Sequence, residues 1–170
     1  MAIADCFLIL LMAICVYTDI KSKKIYNVVL FPAATIGLVS NFLSGGATGG
    51  ITGIKGMMLG MALLLVPFIL GGMGAGDVKL LGVVGAFKGP GFVWTAFLFT
   101  AIVGGVISVI VMVKSGEFPV RFRAAILTLF SAFGIIPQVD LLDSIYEGSV
   151  QTFPYAVAIA AGTALAYVVR

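Results

Sequence analysis

The sequence predicts an all-α polytopic membrane protein, a bundle of about six transmembrane helices. Two observations carry that prediction: the composition, and the spacing of the apolar runs. Of the 170 residues, 61% are hydrophobic and 10% charged, and the mean hydropathy is +1.21. Soluble chains average roughly 45–50% apolar and about 25% charged residues. So few charges cannot dress a water-facing surface, so most of the surface must meet lipid. The same apolar content excludes a disordered chain. The apolar runs approach the length of a span, about 20 residues with roughly 17 tolerated, and short polar or Gly-rich connections separate them.

The first run covers residues 2–18, broken only by Asp5, and lacks the basic start and small-residue cleavage site of a removable signal. The polar stretch Asp19-Ile-Lys-Ser-Lys-Lys24 follows. A second run, 26–43, contains Pro32, where a kink is expected. Residues 44–50 form a Gly-rich turn without charges, and a third run spans 51–70. After Gly71-Gly-Met-Gly-Ala-Gly-Asp77 comes a short apolar helix, 77–87, closed by the turn Lys88-Gly-Pro-Gly91. The run 92–113 is long enough to span unaided, and 154–169 gives a marginal last helix. Between them, 114–153 reads as a cytoplasmic or interfacial segment, because its apolar part, 124–136, is too short to cross. Were it to cross, the count would be seven. The whole chain, 1–170, reads as a single membrane-embedded domain.

The net charge is +3 and the pI about 9.0, but the basic residues serve here as topology signals rather than a nucleic-acid surface. Lys21, Lys23 and Lys24 in the shortest connection place that turn in the cytoplasm and the N-terminus outside. Asp77 then returns to the cytoplasmic side, with Lys114, Arg121 and Arg123. Cys6 and Cys15 fall on opposite faces of one helix and cannot pair. With no histidine in the chain, zinc sites and Ser-His or Cys-His nucleophiles are not expected, and neither metal nor cofactor is predicted.

The chemistry therefore falls to carboxylates. Asp19 and Asp77, remote in sequence, end at the same membrane depth on the cytoplasmic side. Ionisable groups there are costly to desolvate and face a cavity or a partner. Two carboxylates brought close cannot both ionise readily, which supplies an acid and a base at one pH. Such a pair can activate water, protonate a scissile carbonyl and collapse the tetrahedral intermediate without a covalent adduct. Gly74 and Gly76, just before Asp77, remove side chains where a peptide would approach, and the helix dipole beyond favours an anion. The plainer reading is a flexible loop with Asp77 as a helix cap.

Together these segments resemble a known family. Gly74-Ala-Gly76-Asp77 followed by Val-Lys-Leu80 looks like the GxGD signature of the type IV prepilin peptidases, which are membrane-embedded aspartic peptidases. Asp19, a basic stretch, then Ile25-Tyr26-Asn27 is similar to that family's first aspartate motif, with Tyr26 where the family usually has proline. Pro154-Tyr-Ala-Val-Ala158-Ile-x-x-Gly162 resembles its last helix. The resemblance implies that Asp19 and Asp77 are the catalytic pair. It also implies that Gly74, Gly76 and Asn27 belong to the active-site or substrate loops. It further implies cleavage of a short basic leader from prepilin-like precursors at the cytoplasmic face of the inner membrane, with the lipid bilayer and pilus assembly machinery as partners and no nucleic acid. Only a handful of residues separate the first two helices, where long members insert a cysteine-containing domain and also N-methylate their product. The chain thus looks like the short Flp/Tad-pilus branch.

The remaining polar residues have structural readings first. Lys79 points about 200° around the helix from Asp77. Lys88 reads as an interfacial anchor, and Trp94 and Tyr155 as belt aromatics. Asn27 either caps the second helix or bonds Asp19. Gly56-x-x-x-Gly60 permits close helix packing. Asp140, Asp143 and Glu147 read as solvated loop charge able to steer a basic leader. An alternative function of another class is a small proton- or ion-coupled carrier that uses Asp19 and Asp77 as ion sites. It leaves unexplained why both aspartates lie at one face. A third alternative is an inactive scaffold of a secretion machine.

Overall fold

A computed structural model describes residues 2–69, 72–114 and 155–169. Five helices occupy them: α1 (Ala2–Ser22), α2 (Asn27–Ile69), α3 (Ala75–Lys88), α4 (Pro90–Lys114) and α5 (Tyr155–Val169). Among the described residues, three stretches are long and apolar enough to cross a membrane, Ile3–Ser22, Asn27–Ile69 and Pro90–Val111. The segments 124–136 and 138–151, with Asp140, Asp143 and Glu147, lie outside the described residues.

The chain forms two compact units, one of residues 1–104 with 154–170 and one of residues 105–153. Within the second, the described part is the end of α4, an apolar helix with Val109, Ile110 and Val113 exposed.

In the first unit, α1 buries one stripe, Leu8, Leu11, Met12, Cys15 and Asp19, and exposes Ile3, Phe7, Ile9, Leu10 and Ile14. That spacing of three and four residues is a helical face, and the opposite face is apolar because it meets lipid rather than water. The chain leaves α1 through Lys23, whose φ of 49° makes it the described non-glycine residue in the left-handed region.

The Gly-rich turn expected at 44–50 is shorter than the sequence suggests. Helix α2 runs on both sides of one non-helical residue, Gly46 (φ 57°, ψ −144°), a conformation that glycine adopts without strain. A straight helix of its 43 residues would be about 65 Å long, twice the hydrocarbon thickness, and the break divides it into two shorter arms. The two arms fold back on each other. A Cβ on Gly50 would lie 3.2 Å from the Phe42 ring, and one on Gly53 3.2 Å from Leu38. Pro32 lies inside the helix near the start of α2, and the non-helical break falls at Gly46.

Helix α3 is the core of this unit. From Asp77 to Phe87 every residue except Lys79 is buried. That enclosure explains why its sequence is apolar throughout and yet too short to span. It lies against both arms of α2, parallel to the first and antiparallel to the second. A Cβ on Gly56 would run into the carbonyl of Gly85, and one on Gly60 would sit 2.5 Å from the Leu81 oxygen. Backbone meets backbone here, so Gly56-x-x-x-Gly60 packs as expected. Asn41 closes the other end, its Nδ2 donating to the carbonyls of Ala86 (2.7 Å) and Phe87 (2.9 Å), which a helix C-terminus otherwise leaves unpaired.

Gly89 (φ 79°) turns the chain and Pro90 opens α4 at the position where a missing N–H costs nothing. Helix α5 packs antiparallel to the first part of α4. A Cβ on Gly104 would touch Ala158 at 3.6 Å, and one on Gly162 would lie 2.5 Å from the Thr100 nitrogen. Helix α5 is also antiparallel to α1, meeting Asp19 through Ala156 and Asp5 through Tyr167.

Candidate active site

Two aspartates come together where α1 ends and α3 begins. Asp19 occupies the last turns of α1 and Asp77 the first turn of α3, and each is only 7% exposed. Their carboxylates are close enough to act on each other's charge. Nothing in the local sequence relates them. The juxtaposition follows from α3 lying in the core with its N-terminus at the end of the bundle that α1 reaches last.

The surroundings of the two carboxylates differ. Asp19 Oδ2 accepts the backbone N–H of Ala156 at 3.0 Å, so the carboxylate sits at the positive end of α5. Asp77 Oδ2 accepts the N–H of Gly74 at 3.1 Å. This bond reaches back to the residue that precedes α3, so Gly74 is the cap and Asp77 stands three positions inside the helix. The plainer expectation of Asp77 as the cap residue itself is thereby corrected by one turn. Asp77 Oδ1 is buried and has no hydrogen-bond partner among the described residues. A buried carboxylate oxygen without a partner is costly.

The two glycines of the motif do different work. A Cβ on Gly76 would fall 2.9 Å from the Cβ of Ile25, so the short connection between α1 and α2 already fills that space. A Cβ on Gly74 would have Asp77 Oδ2 as its nearest neighbour, at 3.4 Å, an ordinary contact. Asn27 begins α2 and is exposed. Its side-chain oxygen accepts a hydrogen bond from Lys79 Nζ at 2.9 Å rather than a bond involving Asp19. Lys79 also lies over the Phe31 ring, 5.7 Å from its centroid, and points away from the aspartates as its helical angle requires. It ties α3 to α2 beside the site.

Three features were not legible from side-chain chemistry. The donor to Asp19 is a main-chain amide, announced only by Pro154 as a helix-start signal. Tyr155, expected as a belt residue, is half-buried and within electrostatic reach of Asp77. Lys88, expected as an interfacial anchor, turns inward and pairs with Asp5 at the far end of the bundle. The cost of an unpaired charge in an apolar run could have suggested that pair. Trp94 is half exposed beside Phe97, as a belt residue would be. Cys6 is exposed and Cys15 buried, so the two are indeed on opposite faces. Among the described residues no three His, Cys, Asp or Glu side chains gather into a metal-binding group.

The sequence model of the type IV leader peptidase family matches residues 6–109, which include both aspartates. No curated protein and no solved structure matches the chain.

Proposed function

Since the chain belongs to the type IV leader peptidase family and is a membrane protein with peptidase function, we propose that it is an aspartic endopeptidase whose acid–base pair is Asp19 and Asp77. The observation that carries this reading is the approach of two buried carboxylates from different helices, one of them with an oxygen that has no partner among the described residues.

The unequal hydrogen bonding suggests the division of labour. Asp19, supported by the Ala156 amide, is the carboxylate that keeps its charge and takes a proton from water. Asp77 Oδ1 carries the proton given to the scissile carbonyl oxygen. The water oxygen bonds to the carbonyl carbon, giving a neutral tetrahedral diol, with Asp19 now protonated and Asp77 ionised. On collapse, Asp19 gives its proton to the departing amide nitrogen and Asp77 recovers one from a diol hydroxyl. The C–N bond breaks, releasing a carboxylic acid and an amine, and both aspartates return to their starting forms. No metal or cofactor enters.

The substrates in this reading are prepilin-like precursors cut between a short basic leader and their hydrophobic helix, at the cytoplasmic face of the inner membrane. The short connection between α1 and α2 favours the Flp/Tad-pilus branch, without the inserted domain that accompanies N-methylation. The backbone around Gly74, which carries no side chain beside Asp77 Oδ2, is where the substrate main chain would reach Asp77.

Purified protein in detergent, incubated with a prepilin-like precursor, should release the leader in the presence of chelators, as read by N-terminal sequencing of the product. An intact precursor would overturn the reading. Gradient-driven ion flux in proteoliposomes, abolished by Asp19→Asn or Asp77→Asn, would favour the carrier instead.

A further inference from the structure

The end of the bundle opposite the aspartates holds a second group of polar side chains that the proposed chemistry does not use. Lys88, the last residue of α3, forms an ion pair with Asp5 of α1. The same Asp5 oxygen accepts the hydroxyl of Tyr167 from α5 at 3.0 Å. The Lys88 ammonium lies over the Tyr167 ring at 4.4 Å and the Phe92 ring at 5.6 Å from their centroids. The two rings meet edge-on, with centroids 5.0 Å apart. The Lys88 and Asp5 side chains are only 17% and 29% exposed. An ion pair so enclosed, with its neighbouring donors and ring faces in place, holds its geometry far better than one in water.

This group joins the same three helices that build the site. Helix α1 carries Asp5 at one end and Asp19 at the other, about four turns apart. Helix α3 carries Lys88 and Asp77, about three turns apart, and α5 carries Tyr167 and the Ala156 amide, also about three turns apart. Near-whole numbers of turns put each pair on one helix face. The stripe between them on α1, Leu8, Met12 and Cys15, is apolar and buried. Apolar contacts alone fix axial register weakly within a membrane, because the lipid outside is as apolar as the interface. Helices in such packing slide by about 1–2 Å at modest cost. A directional ion pair and hydroxyl bond do not allow that slide.

Given the two-aspartate chemistry proposed above, we propose that Lys88 is a positioning residue, locking α1, α3 and α5 in the axial register that sets Asp19, Asp77 and the Ala156 amide against one another. A slip of about 1 Å at a reacting centre can cost about 100-fold in rate. Lys88→Met should therefore lower kcat by about 10- to 100-fold with KM little changed. Lys88→Arg should restore most of the loss, and Asp5→Asn added to Lys88→Met should cost little more than Lys88→Met alone. Tyr167→Phe, which keeps the ring beneath Lys88 and loses the Asp5 bond, should fall between Lys88→Met and the parent protein.

Register can also be read without catalysis. In a Cys6→Ser/Cys15→Ala background, Asp19→Cys with Asp77→Cys should couple through thiol crosslinkers of one preferred length. Lys88→Met should broaden that preference and Lys88→Arg should recover it. An unchanged preference in folded Lys88→Met protein, judged by monodispersity in detergent, would overturn the positioning role whatever the reaction is. Lowered thermal stability with unchanged kcat and unchanged preference would overturn it too, leaving a purely structural pair. A broadened preference with undiminished precursor cleavage would instead retain the clamp and count against the two-aspartate chemistry.

Discussion

The two ends of the bundle use the same residue type to opposite effect. At one end Asp5 meets Lys88 and Tyr167, so charge faces charge and the oxygen that takes both is satisfied. At the other, Asp19 lies near Asp77, two acids are brought together, and an oxygen of Asp77 is buried with no partner among the described residues. Paired opposite charges make a bundle hold still. Two buried acids forced together, which cannot both ionise readily, raise its energy locally, and the rest of the structure enforces their approach. The contrast separates an aspartate that holds from one proposed to react.

Breaking the core between the ends should have the largest effect. Gly56→Leu drives a side chain into the Gly85 carbonyl at the α2–α3 contact. It should cost about 3 kcal/mol of stability and abolish cleavage by displacing α3, as measured by thermal unfolding in detergent beside a precursor assay. Retained stability would mean that the arms of α2 do not grip α3 as described. Ala156→Pro sharpens the comparison at the site end alone. Proline is tolerated in the first helical turn but deletes the N–H that Asp19 Oδ2 accepts. The loss of a hydrogen bond to a charged group should lower kcat by roughly tenfold, about 1.4 kcal/mol, with the unfolding midpoint nearly unchanged. An unaltered rate would remove the amide from the account. The smallest effect is expected at Lys79. Lys79→Met loses one exposed bond to Asn27, so stability should fall by about 0.5 kcal/mol and kcat by less than either substitution above. A loss of kcat as large as that of an aspartate variant would place the ammonium in the chemistry rather than beside it.

Much of this was legible in the sequence because lipid imposes simple rules. Apolar run lengths gave the helices, and the lysines of the first connection together with the later polar turns brought Asp19 and Asp77 to one depth. Gly56 and Gly60 announced a close contact, though not that Gly85 and Leu81 would meet them. The rest depended on three-dimensional neighbours that carry no local signal. A main-chain amide such as that of Ala156 has no side chain to notice. Gly46 was one of several glycines in a run, and only the packing of Gly50 on Phe42 and Gly53 on Leu38 selects it as the fold-back point. Lys88 at a turn looks like any interfacial lysine until Asp5, at the other end of the chain, is brought beside it. Gly76 invited a substrate and received Ile25.

The central claim, that Asp19 and Asp77 act as one acid–base pair, is tested most directly with a precursor peptide whose scissile carbonyl is replaced by a secondary alcohol. Such an isostere resembles the tetrahedral intermediate and should bind at least about 100-fold more tightly than the uncleaved peptide. The account predicts that Asp19→Asn and Asp77→Asn each remove that extra affinity while leaving ordinary peptide binding in place. Tight binding of the alcohol that survives either substitution would contradict it.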